Sequence, residues 1–386
     1  MIYLDNSATT EISETAKKKM IEAMDAYGNP SSRHALGLDA RKLIDRAREQ
    51  VGAALGAQRP DPENLVFTSS GSEANNMAIL GSVYSKEKRR RNKIITTNSE
   101  HPSVENVMRK LEKDGFDIVR LSTRGGVIDE NEFLSALDDN VALISLMMVN
   151  NETGAIYDVK KLFAIAKRRC PESVTHCDAV QGFLKTPFTV KALGADLVSV
   201  SAHKIHGPKG VGALYITPEI IKMKKMIPYI IGGGQEGGYR SGTENTVGIV
   251  GFGVAAEEAR AKFASNVGIM TSLRDLCQIK AEEAGARANI PAGLRAPHVL
   301  SLTLPSIKSE TMLNFLSSKG FCVSAGSACS SHSKHISSSL VGFGITESEA
   351  DTTIRVSFSE YNTEDEVLSF VSALKEGIDS LVRIKR

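Results

Sequence analysis

The 386-residue chain has no tryptophan, and aromatic residues make up only 5% of it. It also has no Cys-x-x-Cys: its five cysteines stand at 170, 177, 277, 322 and 329. An odd, widely spaced set excludes a disulfide framework and a structural zinc site. It fits a reducing, cytoplasmic setting. Neither sign of charge dominates, since Lys plus Arg is 47, Asp plus Glu is 45 and the net charge is +2. The basic excess of a nucleic-acid binder is therefore missing. One basic run, Lys86–Lys93, reads as a solvated helix end and loop. No apolar window approaches the ~18 residues of a membrane span. Met1–Asn6 carries neither the basic nor the apolar region of a signal peptide. Internal repeats and low-complexity tracts are lacking too.

What remains is an ordinary soluble composition, 41% hydrophobic and 24% charged. The length suits one large domain plus a smaller one. Leu36, Ala40, Leu43, Ile44, Ala47, Val51, Ala54 and Leu55 recur at helical spacing, and Gly56 closes the run. Leu65–Thr68 reads as a strand, followed by a helix opening near Ser70, which has capping-box spacing to Glu73. Ile94–Thr97 and Ile118–Leu121 are further strands, with a helical face of Val104, Val107, Met108 and Leu111 between them. Val141–Val149 is almost continuously apolar, as a strand buried on both sides of a parallel sheet requires. Asp158 caps a helix ending in Lys167, Arg168 and Arg169, and strands follow at 173–177, 196–201 and 212–216. This alternation predicts a mostly parallel α/β sheet covered on both faces. From about residue 259 the pattern changes to a long helix over 257–284, short strands at 299–304, 321–324 and 354–357, and a final helix opened by Thr363 and Glu366. We therefore read residues 13–258 as a large α/β domain and residues 1–12 with 259–386 as a smaller α+β domain.

Open parallel sheets hold ligands at the carboxyl ends of their strands, and four strand ends here carry polar clusters. Thr68–Glu73 offers hydroxyls and helix N–H groups to an anion, although taken alone it serves equally as a cap. Asn150–Gly154 follows the most buried strand and, taken alone, reads equally as a turn. Asp178 ends a strand, where a carboxylate needs a partner; a helix N-cap or the cationic ring nitrogen of a cofactor answers that need. Lys204 follows a buried strand, where it either snorkels or forms a Schiff base from an apolar setting. His203 and His206 lack the further ligands of a metal set, so no metal is expected. His101 also follows a strand, placing its imidazole where it could stack on a ring. Together, a phosphate cradle, a carboxylate for a pyridinium nitrogen and a Schiff-base lysine 26 residues further on are the parts of a pyridoxal phosphate site.

At this point the chain resembles the cysteine desulfurases of the NifS/IscS type, within the class V aminotransferase family. The resemblance rests on Tyr3–Thr10, Gly28–Ser32, Phe67–Glu73, Glu100-His101, Asn150–Gly154, Asp178–Gly182, Ser201–Lys204, Arg240–Asn245, Gly326–Cys329 and Arg355, in that order along nearly the whole chain. It implies a fold-type I enzyme with a large, mostly parallel, seven-stranded sheet domain and a smaller α+β domain carrying a Cys329 loop. It implies pyridoxal 5'-phosphate as cofactor. Lys204 would be the Schiff-base lysine, Asp178 the partner of the ring nitrogen, Gln181 the partner of the ring hydroxyl, and His101 the stacking and proton-moving group. Gly71, Ser72, Ser201 and His203 would hold the phosphate, joined by Thr243 from the other subunit of a homodimer. Asn151 would contact cofactor and substrate, and Arg355 would grip the substrate carboxylate through its guanidinium fork.

Cys329 has a separate argument. Residues 324–333 are small and polar, unable to build a core, so they read as a mobile, exposed loop with an accessible thiol. His332 and Lys334 stand near enough in sequence to favour the thiolate. The family then implies conversion of L-cysteine to L-alanine with a persulfide left on Cys329. The sulfur would pass to an acceptor such as an iron–sulfur scaffold or a tRNA-thiolation protein, with no direct contact to nucleic acid or membrane. The serine-rich stretch Lys334–Ser339 departs from the family pattern and leaves the acceptor open. Two other readings stand beside this one: another class V reaction such as selenocysteine lysis, and a catalytically silent scaffold.

Overall fold

The computed structural model describes residues 1–58, 60–85, 91–325 and 337–381. Most of the basic run (86–90) and the segment 326–336, with Cys329, thus lie outside the described residues. Seven strands form the large sheet: β1 (Leu65–Thr68), β2 (Lys93–Thr97), β3 (Asp117–Leu121), β4 (Val141–Met147), β5 (Val174–Asp178), β6 (Leu197–Ser201) and β7 (Gly212–Ile216). They lie side by side in the order β1-β7-β6-β5-β4-β2-β3. β7 alone runs against its neighbours, and the other pairs are parallel. This is the α/β sheet that the alternation of elements predicts.

The helices that position the site are α1 (Glu14–Met24), α2 (Ala35–Leu55), α3 (Gly71–Val83), α4 (Pro102–Lys113), α5 (Val159–Arg169), α6 (Thr246–Ala261), α7 (Phe263–Glu283) and α8 (Glu364–Ser380). Successive strand residues point to opposite faces, so the sheet is packed on both. Phe67, Leu146 and Val198 share one core with Ile44 and Val51 of α2 and Phe252 of α6. Val66, Leu143 and Leu197 share the other with Met77 of α3 and Val104 of α4. A separate core lies under an antiparallel sheet of β8 (Arg287–Ala288), β9 (Val299–Thr303), β10 (Ser324–Ala325) and β11 (Thr353–Ser357), ordered β8-β9-β11-β10. Leu4, Met270, Leu273 and Cys277 meet Ile354, Phe370 and Leu374 there. No described helix is long and apolar enough to cross a membrane.

Three local expectations are corrected. The helix predicted over 257–284 is two helices, α6 and α7, parted at Lys262, whose backbone leaves the helical region. α6 starts at Thr246, eleven residues earlier than expected, although Gly248, Gly251 and Gly253 lower its helix propensity. The same glycines permit close packing: a Cβ on Gly253 would lie 2.7 Å from Ala47 Cα of α2. The strand predicted over 321–324 is split, with Phe321–Cys322 pairing in parallel with Ile2–Tyr3 and β10 pairing with β11. Ser70 caps α3 by accepting from the Glu73 N–H, but the Glu73 carboxylate turns to Ser69 and Arg240 instead of closing a capping box. The Thr363–Glu366 box on α8 closes in both directions.

A buried ion pair secures the glycine-rich segment that follows β7. Arg48 of α2 grips Glu236 with two hydrogen bonds of 2.8 Å each. Glu236 also accepts from the Phe67 N–H at 2.7 Å and sits in the left-handed region at φ 49°. Both side chains are 2% exposed. Removing one partner strands the other charge in the core, so Glu236→Ala lowers the unfolding free energy by about 3–5 kcal/mol. Chemical denaturation measures this, and a loss below about 1 kcal/mol contradicts the role given to the pair.

Candidate active site

Parallel strands end on the same edge of a sheet. Five of them here deliver polar residues to one cleft of about 740 Å³. β1 leads into Gly71 and Ser72, β2 into Glu100 and His101, β4 into Asn151, β5 into Asp178 and Gln181, and β6 into Ser201, His203 and Lys204. Arg355 reaches the cleft from β11 of the second sheet. Ten of the twelve residues singled out in the sequence thus line one space. Thr243 does not; it is exposed on the surface of the single chain. Cys329 lies outside the described residues, while Ser324 and Ser337, on either side of its segment, line the cleft.

Asp178 is 6% exposed. Its Oδ2 accepts from Asn75 Nδ2 at 2.7 Å and its Oδ1 from the Val180 N–H at 3.0 Å. Asn75, on α3, lies outside the sequence motifs; it also donates to Ser103 Oγ at 2.9 Å. His101 is the N-cap of α4, with Pro102 in the first turn as helix starts favour. Its Nδ1 accepts the Ser103 N–H at 3.1 Å, which leaves the ring proton on Nε2. Burial pushes the His101 pKa down; Asp178 opposes this and Lys204 adds to it, so the imidazole is neutral. His203 is likewise held to about 3, by burial first and then by Lys204.

The Lys204 ammonium donates to the carbonyls of Ser7 and Ala8 at 2.5 and 2.8 Å. The same Ser7 carbonyl accepts from Gln181 Nε2 at 2.9 Å. Arg355 donates to the Asn151 carbonyl at 2.9 Å and ion-pairs with Asp5 at 2.8 Å, so its guanidinium plane is fixed before any ligand arrives. Asp5 in turn accepts from Ser324 Oγ at 2.8 Å. Asp5 and Ser7 belong to the N-terminal motif that carried the resemblance, yet nothing in their spacing announced contacts to residues about 200 and 350 positions away.

Burial raises the pKa of two acids. Glu152 is pushed up to about 7; the Ser337 hydroxyl, 2.5 Å away, and Arg355 oppose the shift. Glu100 is pushed up to about 8, against hydrogen bonds from Thr97 Oγ1 at 2.8 Å and the Met147 N–H at 3.1 Å. Folded Glu100 therefore keeps a proton that the unfolded chain gives up near 4.5. Its contribution to stability is fully present below about pH 4.5 and is lost as pH rises toward 8, with a slope of at most about 1.4 kcal/mol per pH unit. Glu100→Gln flattens the dependence in that window. Unfolding free energies of both proteins across pH 5–8 measure it; parallel curves refute the assignment.

The model of the family "Aminotransferase class-V" matches residues 2–370. A cysteine desulfurase of Trichormus azollae is 37% identical over 385 residues, covering 99% of this chain and 94% of that protein. A solved NifS-like protein superposes with a TM-score of 0.91 at 34% identity, over 98% of this chain and all of that one. A structure described as SspA in complex with cysteine superposes with a TM-score of 0.80 at 31% identity, over 94% of this chain and all of that one. The chain belongs to the class V aminotransferase family, and within it to the cysteine desulfurases.

Proposed function

We propose that the cleft holds pyridoxal 5'-phosphate on Lys204 and takes L-cysteine to L-alanine, leaving the sulfur as a persulfide on Cys329. The observation that carries this reading is the convergence of Lys204, Asp178, Gln181 and His101 at neighbouring strand ends. The residues fit the group. Eleven described side chains have a buried polar atom without a partner, and five of them line this one cleft: Ser7, Asn75, Glu100, Ser201 and Arg355. At the first turn of α3, a Cβ on Gly71 would lie 2.7 Å from Val180 Cγ2, so that position is kept free of a side chain. The N–H groups of that turn have no partner within the helix and favour an anion. Asp178 forms no ion pair with a described residue and is placed to receive a cationic ring nitrogen.

When bound, pyridoxal phosphate supplies an electron sink that acidifies the carbon-bound protons of the substrate. The chain does the rest. Gly71, Ser72, Ser201 and neutral His203 hold the phosphate, and the partner subunit's Thr243 completes that set in a homodimer. Asp178 keeps the ring nitrogen charged, and Gln181 donates to the ring hydroxyl. His101 stacks on the ring, with its proton on Nε2. Arg355 and Asn151 bind the substrate carboxylate, with Asp5 holding the guanidinium plane. Lys204 would also move protons at the substrate carbons. The Cys329 thiolate attacks the substrate sulfur; the carbon–sulfur bond breaks, and the carbon fragment leaves as alanine after protonation.

The persulfide then passes to an acceptor such as an iron–sulfur scaffold or a tRNA-thiolation protein. We take residues 13–258 as the cofactor-binding domain and 1–12 with 259–386 as the smaller one. The placing of Leu4 in the second core and of α6 and α7 in different cores supports this division. A cytoplasmic location suits the four described cysteines, all free thiols.

Cys329→Ser tests the sulfur step. The fold and cofactor binding survive, whereas alanine and sulfide formed from L-cysteine fall by more than about 100-fold, because a hydroxyl cannot serve as attacker and sulfur carrier. Alanine formation near the wild-type rate would remove Cys329 from the mechanism. Dependence on the dimer is tested by Thr243→Ala, which weakens cofactor retention by about tenfold if Thr243 donates one hydrogen bond to the phosphate. Unchanged retention, read by equilibrium dialysis, refutes the shared site.

A further inference from the structure

His298 precedes β9 and is fully buried, and neither the sequence motifs nor the reaction gives it a task. Its Nε2 lies 3.1 Å from Oε1 of Gln181. An amide oxygen only accepts, so the imidazole must carry its proton on Nε2 and donate. Its Nδ1 is then a bare lone pair, in keeping with its being buried without a partner. The opposite tautomer would bury an unpartnered N–H and set two lone pairs against each other. Burial, reinforced by the facing cations Lys185, Lys204, Arg355 and Arg274, keeps the ring from taking a second proton.

The other end of the amide is fixed as well, since Gln181 Nε2 donates to the Ser7 carbonyl. Turning the amide over would place its NH₂ against the His298 N–H and its oxygen against the Ser7 carbonyl oxygen, losing two buried hydrogen bonds at once. His298 is itself held from the second sheet, because its carbonyl accepts from the Phe358 N–H at 2.9 Å, beside the Val299–Ser357 pair. A residue entering the antiparallel sheet thus sets the orientation of a residue in the turn that follows β5 of the parallel sheet. We propose that His298 is a positioning residue that locks the Gln181 carboxamide with its N–H end toward the ring hydroxyl of the cofactor. The proposal rests on the cleft being a pyridoxal phosphate site.

The test has two arms. In the first, nitrogen NMR of the histidine-labelled holoenzyme follows the His298 ring. A neutral ring protonated on Nε2 throughout pH 5–8 is expected; a ring protonated on Nδ1, or one that becomes charged in that range, overturns the proposal. In the second, pyridoxal phosphate is titrated into the wild type, His298→Leu, His298→Gln, Gln181→Leu and the double Leu variant. His298→Leu weakens binding about tenfold, as expected for one lost hydrogen bond, and shifts the visible absorption of the bound cofactor. His298→Gln restores both, because its amide N–H reaches the same oxygen. The double variant binds no more weakly than Gln181→Leu alone, since His298 acts through Gln181. A His298→Leu protein with lowered thermal stability but unaltered binding and spectrum shows a purely structural role and overturns the proposal alone. A wild-type chain that binds no pyridoxal phosphate overturns the underlying reading together with it.

Discussion

A half-buried amine and a buried amide need acceptors, because leaving such groups unpaired costs up to a few kcal/mol apiece. In this chain one carbonyl, that of Ser7, serves both Lys204 and Gln181. The segment that supplies it crosses between the two packed units. Ile2–Tyr3 pairs with Phe321–Cys322, and Leu4 is buried in the second core. The chain then passes over the cleft, presenting Asp5 to Arg355 and Ser7 to Lys204, before the Thr10 N–H bonds the His203 carbonyl at 2.9 Å. Lys204, Arg355 and Gln181 are therefore aligned by six consecutive residues, Asp5–Thr10. Displacement of this strap disturbs all three together.

Around that strap, desolvation sorts the ionisable groups by type. It pushes the acids Glu100 and Glu152 up to about 8 and 7, and it holds His101, His203 and His298 below their ordinary value. Burial thus favours the neutral forms of Glu100, His101 and His203 in the cleft wall. Such a lining fixes a polar ring in place without adding competing charge, and charge is left to residues with a designated partner. Arg355 has Asp5, and Asp178 awaits a cation.

Much of this arrangement is legible in the sequence because it is local. A strand that ends in Asp178, a second that leads to Lys204, and hydroxyls opening a helix at Ser70 are each set by neighbouring residues and by strand and helix periods. The resemblance then gives them roles. What could not be read depends on contacts across the fold. Asn75 reaches Asp178, and His298 reaches Gln181, over separations of 103 and 117 residues, and no spacing rule encodes such pairs. The start of α6 was hidden for a different reason. Its glycines lower helix propensity, whereas Gly253 serves close packing against Ala47 and Gln50 of α2.

The central claim is that Lys204 carries the cofactor. The site offers a demanding test, because Lys185 is a buried amine near Lys204, pushed down to about 7 by burial and then by Lys204, and without a hydrogen-bond partner. Its lowered pKa makes it a nucleophilic amine in its own right. Borohydride reduction of the protein loaded with pyridoxal phosphate, followed by peptide mapping, separates the two. The account predicts one cofactor adduct per chain, on the peptide containing Lys204. An adduct on Lys185, or no adduct on either lysine, would contradict it.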